Sequence, residues 1–407
     1  MVNDNRQAKL LLAKERAMTR KQVLQKALRG EIKWTEAAEI LRISGRQMRR
    51  IKTRFINTGT DALYDLRLGS ISKRRTKPEV REMILKLFRD QYRDFSASHF
   101  FEKLKTEHRF EGHSYSTVLR VLQQEGLVGK AERKPAHRTK RRRRPIRGMM
   151  VHMDGSTHDW FNTGQKCDLV AALDDADSKV LAAKFVNQEG SRTCMQVLLQ
   201  AVKKFGVFSA LYTDRAMHFV ITKKGGKKPD RTAKSQIERA LDKLGTELIF
   251  AYSPQARGRM ERMWRTWQGR LPQELRLKGI QTIEDGNLFL EKYFIPWHNR
   301  NLTVIPEDPE SSAFIKVPSS TDLELIFSTQ YKRQVNFDHT IQFKNRSLQI
   351  PRHKELKANF AGLQVTVHEH LDHTISITYG NHVLAKYDQN FNLNLNYSHE
   401  KPMREAA

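Results

Sequence analysis

Between Met149 and Leu271 short apolar runs alternate with stretches of helical periodicity, and two of those runs, "GMMVHMD" and "SALYTD", stop on an acid, Asp154 and Asp214. This order restricts the fold more than any other feature. "DLVAALDDADSKVLAAKFV" predicts two strands joined by an acidic turn, "SRTCMQVLLQAVKKFG" and "KSQIERALDKLG" predict helices, and "ELIFAY" predicts a further strand. "GRMERMWRTWQGRL" then predicts a helix whose apolar stripe is Met260, Met263, Trp264, Trp267 and Leu271, with Pro272 kinking or ending it. Hairpin-linked strands followed by strand-helix alternation describe an α/β sandwich, a mixed sheet flanked by helices.

In a sheet where the strands ending at Asp154 and Asp214 are neighbours, their carboxylates meet at one edge. Glu261, beside the apolar stripe of the following helix, would complete the cluster. Three acids without a thiol or imidazole partner describe an oxygen-rich site for Mg²⁺. Two such ions suit phosphoryl transfer, one for the attacking oxygen and one for the leaving oxygen.

The chain's charge names the partner class. Its 407 residues carry 73 Lys plus Arg against 45 Asp plus Glu, a net of +28, which points to a polyanion and first of all to nucleic acid. The excess is concentrated: up to Arg147 there are 38 basic and 16 acidic residues, beyond it 35 and 29. Two cysteines, Cys167 and Cys194, are too few for a disulfide framework or a cysteine-based zinc site and suit a reducing compartment. Nothing resembles a signal peptide, and the apolar stretches fall short of the ~20 residues that span a bilayer. A soluble intracellular protein with no membrane partner is expected.

In "WTEAAEILRISGRQMRRIKTRF" one short helix carries Ala37 and Ala38, and a second begins at Ser44, where Ser44 and Gln47 match a capping box. Met48, Ile51 and Phe55 fall on one face of it and Arg46, Gln47, Arg50 and Arg54 on the other. Such a helix can read bases in a DNA major groove; an amphipathic hairpin with a solvated basic face is the plainer alternative. A second unit, "SASHFFEKLKTEHRFEGHSYSTVLRVLQQEGL", repeats the pattern, with a helix capped near Ser116 and Val118, Leu119 and Leu122 inward. Residues 130–147 hold ten Lys or Arg against one acid. They read as a basic linker whose Arg141, Arg142, Arg143 and Arg144 strap phosphates, against a plain spacer.

"VHMDGSTHDWF", "LYTDRAMHF" and "SPQARGRMERMW" resemble the three acidic blocks of the integrase-type DDE transposases of bacterial insertion sequences, closest to the ISNCY group. The resemblance spans nearly the whole chain, including "GTDALYDLRLGSISKR" and "YFIPWHNRNLTVIPEDP". It implies a multidomain protein with N-terminal all-α helix-turn-helix modules and a central α/β RNase H-like integrase core. It implies a recombinase that binds double-stranded DNA at its element's ends, cleaves there and joins the 3′-hydroxyl to target DNA, working as a homo-oligomer in the bacterial cytoplasm. Asp154, Asp214 and Glu261 match the metal-binding acids, which take two Mg²⁺ ions, with Mn²⁺ as substitute. His218, Arg257 and Arg262 match auxiliary positions. The chain departs from the pattern in "DRAMHF", where Gly-Ser usually separates Arg from His, and in the insert "KKGGKKPDRTAK". The first departure favours the alternative of a weakened or repurposed DNA-binding protein. A structure-selective nuclease is a weaker third class.

Rival acids and histidines have simpler roles. Asp174, Asp175 and Asp177 read as turn residues, Glu238 as a solvated helix face, His152 and His158 as surface or hydrogen-bonding histidines, and Trp264 and Trp267 as core. From Gln334, alternations such as "LQVTVHEH" and "TISITYG" predict a small β-barrel. The expected domains are 1–70 (helix-turn-helix), 71–129 (second helix-turn-helix-like module), 130–147 (linker), 148–305 (catalytic core), 306–333 (linker), 334–395 (barrel) and 396–407 (tail).

Overall fold

The computed structural model describes residues 2–63, 76–130, 141–216, 218–221, 233–251, 258–352 and 359–394. The chain divides into two compact units, Met1–Met83 and Ile84–Ala407.

The first unit contains α1 (Val2–Leu28), α2 (Trp34–Ile40) and α3 (Gly45–Thr58). Leu24 of α1, Ala37 and Ala38 of α2, and Met48 and Ile51 of α3 share one small core. The short alanines let α2 and α3 approach closely, as the sequence pattern anticipates; the long first helix was not part of that reading. Ser44 is the N-cap of α3, and its hydroxyl accepts from the Gln47 amide at 3.2 Å, supplying one of the helix's unsatisfied N–H groups with a partner. The division between the units falls within α4 (Pro78–Asp90).

The second unit continues with α5 (Ala97–Glu107) and α6 (Tyr115–Gln124). The cap of α6 is Ser114, two residues before the expected Ser116, with Val118 and Leu122 fully buried and Leu119 half-buried. Next come β1 (Val151–His158), β2 (Cys167–Asp174), β3 (Val180–Val186), α7 (Ser191–Phe205), β4 (Ala210–Thr213), α8 (Gln236–Lys243) and β5 (Glu247–Phe250). The strands lie in the order β3-β2-β1-β4-β5, with β1, β2 and β3 antiparallel and β1, β4 and β5 parallel. This is the expected RNase H-like, integrase-type core.

Both faces of the sheet are buried, which β2 shows residue by residue. Val170 and Ala172 point to the side covered by α7 and α8, while Leu169, Ala171 and Leu173 point to the opposite side. That side is covered by α9 (Gly258–Gln268), α10 (Leu271–Leu277), α11 (Ile283–Phe289) and α12 (Ile295–Asn301). Met260, Met263, Trp264 and Trp267 are the buried stripe of α9. Pro272 does not end that helix. The break comes at Gly269 and Arg270, and Pro272 sits in the first turn of α10, where its missing N–H costs nothing.

After α13 (Leu323–Ile326) follow β6 (Thr329–Gln334), β7 (Thr340–Phe343), β8 (Arg346–Gln349), β9 (Gln364–Glu369), β10 (Ile375–Tyr379) and β11 (His382–Tyr387). They form a four-stranded antiparallel sheet, β11-β10-β9-β6, and a β7-β8 ribbon around one core. The sheet begins at Thr329, earlier than expected. Among the described residues the sheet and the ribbon share one core, and no ladder joins the sheet's two edges into a barrel. Arg239 of α8 ties it to the core, donating to the Ile326 and Ser328 carbonyls at 3.0 and 2.6 Å.

Candidate active site and DNA-facing residues

In the β1-β4 ladder Val151 pairs with Leu211 and His152 with Tyr212; the same register carried two residues further brings Asp154 level with Asp214. Strand alternation sends Val151 and Met153 into the core under α7 and leaves Asp154 toward α9. There its Oδ2 accepts from the Trp264 indole at 3.0 Å, which fixes the carboxylate's plane. Asp214 stands one residue past the end of β4, and its Oδ1 accepts from the Ala216 amide at 2.9 Å. Glu261 lies one helical turn before Trp264 on the exposed flank of α9, with Arg262, also exposed, beside it. The structure therefore carries the two aspartates on neighbouring strands and ties α9 to one of them. Among the described residues it does not close a set of three acids: the ligand atoms lying within 4.8 Å of one another belong to Glu189, Cys194 and His218. Arg257 lies outside the described residues, as does most of the Gly-Lys-rich insert.

Glu189, which the sequence reading passed over, sits just before α7. A Cβ on Gly155 would stand 2.1 Å from Glu189 Oε2, so the Glu189 carboxylate lies directly against the residue next to Asp154. Its Oε1 is 3.2 Å from His218 Nε2. Glu238, the rival acid, is half-buried in the first turn of α8, where its amide is capped by Ser235 at 3.1 Å.

The acidic turn between β2 and β3 is far more than a solvated turn. Asp174, Asp175 and Asp177 are all buried. Asp175 accepts from His152 Nε2 at 2.6 Å, from Arg259 Nε at 2.6 Å, from the Arg144 amide at 2.7 Å and from Arg141. Burial alone would raise its pKa, but the His152 and Arg144 hydrogen bonds and the Arg259 cation outweigh burial and hold it well below the usual carboxylate range. His152 is held neutral, because desolvation lowers its pKa more than Asp175 raises it. It therefore acts as a hydrogen-bond donor, and the arginines supply the positive charge. Asp174, by contrast, is pushed up to about 6 by burial, against hydrogen bonds from the Gly148 and Ala176 amides. Arg259 stands two residues before Glu261, so Asp175 anchors the helix that carries the third acid. Arg141 stands 34 residues and Arg259 84 residues from Asp175, so no local pattern signals this role.

These contacts change the reading of the basic linker. Arg141 pairs with Asp175, Arg142 with Glu307 at 2.9 Å, Arg143 donates to Ser178 at 2.8 Å, and Arg147 pairs with Asp177 at 2.8 Å. Residues 141–147 are docked on the core; residues 131–140 lie outside the described part. Three of the four expected phosphate-binding side chains thus have protein partners, and Arg144 is exposed.

On α3, Arg46, Gln47, Arg50 and Arg54 are all exposed, opposite buried Met48 and Ile51. The second helical module is differently occupied. On α5, His99 and Lys103 each contact Glu274 of α10 at 2.8 Å, and Glu102 takes a two-pronged pair from Arg270 at 2.8 Å per bond. Burial would raise the Glu274 pKa, but the His99 and Lys103 bonds hold it at about 2. That face of α5 is a packing surface against the core.

Comparison with known proteins agrees with this architecture. Residues 19–77 match the helix-turn-helix domain family. A Sinorhizobium fredii protein bearing the transposase name y4bF is 30% identical over 379 residues, 92% of this chain and 81% of that protein. The transposase of insertion sequence IS1202 from Streptococcus pneumoniae is 27% identical, covering 81% and 77%. Among solved structures, the magnesium-bound HTLV-2 integrase catalytic core covers 40% of this chain and 93% of its own at 13% identity, with a TM-score of 0.30. The y4bF relative, 30% identical over most of both chains, shows the family. The chain belongs to the insertion-sequence transposases. No described helix is long and apolar enough to cross a membrane.

Proposed function

We propose that the protein binds the ends of its own element, cleaves the phosphodiester bond there and transfers the strand to target DNA, with Asp154, Asp214 and Glu261 as the acids that hold divalent metal. What supports this reading is the pairing of β1 with β4, whose register, continued past His152 and Tyr212, puts Asp154 and Asp214 at matching positions, with α9 tied to Asp154 through Trp264. The donor set suits hard Mg²⁺, or Mn²⁺ in its place, because it offers carboxylate oxygen alone. Three bare carboxylates repel one another, so Glu261 joins the pair only when a cation offsets their charge. When bound, two such ions supply activation of the attacking oxygen and stabilisation of the leaving one. The chain itself orients Asp154 through the Trp264 indole and holds α9 through Asp175 and Arg259. His218, Arg257 and Arg262 act beside the site on the DNA. Arg46, Gln47, Arg50 and Arg54 read the end sequence, and Arg144 adds a phosphate contact. Two ends must be handled together, so the working form on DNA is at least a dimer.

The test is strand transfer by the purified protein with DNA from the flanks of its own gene, in Mg²⁺ and in Ca²⁺. Glu261→Gln removes the charge and keeps the volume; joining should fall by orders of magnitude while end binding stays within a few-fold. Glu238→Gln should leave joining unchanged. Loss of joining in Glu238→Gln with full activity in Glu261→Gln would move the third acid to α8. Binding of the ends by the unaltered protein with no joining in any metal would instead favour a DNA-binding relative.

A further inference from the structure

We infer that Cys194, His218 and Glu189 form a separate site for a borderline-soft divalent ion of the zinc class, beside the proposed acid triad. The three residues come from different elements. Cys194 is in the first turn of α7, Glu189 lies just before that helix, and His218 is in the loop after β4. The ligand atoms all lie within 4.8 Å of one another.

The two spacings from the Glu189 oxygen fit the edges of a tetrahedral face, and the third pair of ligand atoms lies within 4.8 Å. With the usual zinc bonds to sulfur, nitrogen and oxygen, tetrahedral angles place S and O ~3.6 Å apart and N and O ~3.4 Å apart. Cys194 Sγ is 3.7 Å from Glu189 Oε1, and His218 Nε2 is 3.2 Å from the same oxygen. A second observation points to a ligand: His218 Nε2 is sequestered from solvent without a well-formed hydrogen bond, although it faces a carboxylate. The nitrogen nearest the Glu189 carboxylate thus lies 3.2 Å from it without hydrogen-bond geometry. Gly155 contributes by having no side chain where the Glu189 carboxylate lies.

Sulfur, imidazole and one carboxylate select zinc-class ions over Mg²⁺, which takes an all-oxygen shell. On binding, a metal-sulfur bond forms, the S–H bond breaks and its proton goes to solvent. Three protein ligands leave the fourth position of the tetrahedron for water. Because Glu189 lies against the residue following Asp154, occupancy draws charge away from the acid edge, and zinc-class ions should inhibit joining where Mg²⁺ supports it.

The probe is Co²⁺ added to the full-length protein, which reports tetrahedral geometry in the visible and thiolate ligation in the near ultraviolet. One equivalent should bind with both signals, and Zn²⁺ should displace it. Cys194→Ser should abolish the thiolate band, and Glu189→Gln and His218→Ala should weaken Co²⁺ at least ten-fold. Glu261→Gln should leave both signals in place, which separates this site from the acid triad: loss of joining with the Co²⁺ spectrum kept supports both readings, and an unchanged joining rate with that spectrum kept overturns only the triad. Absence of a thiolate band in the unaltered protein, or its loss in Cys167→Ser and not in Cys194→Ser, would overturn the site.

Discussion

Replacing Asp175 by Asn tests whether a buried carboxylate holds the acid-bearing helix in place. Asp175 is fully buried, and its two oxygens accept from Arg141, Arg259, His152 and the Arg144 amide. Asn keeps the shape but exchanges one acceptor for an NH₂ donor, so at least one of these N–H groups faces another donor. It also deprives Arg259, only 12% exposed, of its counter-charge. Breaking a buried ion pair from one side costs about 3–5 kcal/mol. Arg141 is 42% exposed and can return to water, which places the loss at the lower end, about 3 kcal/mol. At ~2–4 °C per kcal/mol, the core's melting midpoint should fall by roughly 6–12 °C. The loss carries a pH signature. The Asp175 pKa is depressed on folding, so its stabilisation is fully present above the unfolded value of about 4 and is lost as pH falls through the acid range. The gap between the two proteins should therefore be widest at neutral pH and shrink on acidification. Thermal unfolding followed by circular dichroism from pH 7 to pH 3 measures both. An Asn variant within 0.5 °C of the parent at pH 7, or a gap that widens in acid, would refute the anchoring argument.

Other consequences are open to direct measurement. Arg50→Ala should cost about 1–3 kcal/mol on the element end and little on random DNA; equal losses on both in gel-shift titrations would remove α3 from base reading. Arg144→Ala should weaken both DNAs alike and flatten the salt dependence of binding by about one unit, which a salt series reads. Gly206 has φ +103° and a Cβ there would stand 2.5 Å from the Ile315 carbonyl oxygen, so Gly206→Ala should destabilise the core by more than ~1 kcal/mol in urea melts. Glu274→Gln strips the charge from the carboxylate that His99 and Lys103 share, and should destabilise the α5-α10 contact by about 3 kcal/mol at neutral pH, less in acid.

What the sequence determined by itself was the order of strands and helices in the core and the placement of Asp154, Asp214 and Glu261 on them. The Ser44 cap, the apolar stripe of α9 and the short strand leading to Asp214 are local patterns, because period and capping chemistry act over a few neighbouring residues, whereas β1 runs on past Asp154 to His158 instead of stopping there. Tertiary structure decided what no local pattern carries. The pairing of β1 with β4 makes neighbours of strands sixty positions apart in the chain, and the partner of Glu189 is visible only when Gly155 and His218 are brought beside it. Asp175 reads as a turn residue because turn chemistry is written locally. Its burial under Arg141 and Arg259 depends on segments far apart in sequence, and so does the conversion of an arginine run from a strap into a docked segment. Charge tells which residues seek a polyanion; only packing determines which of them have already found a carboxylate in their own chain.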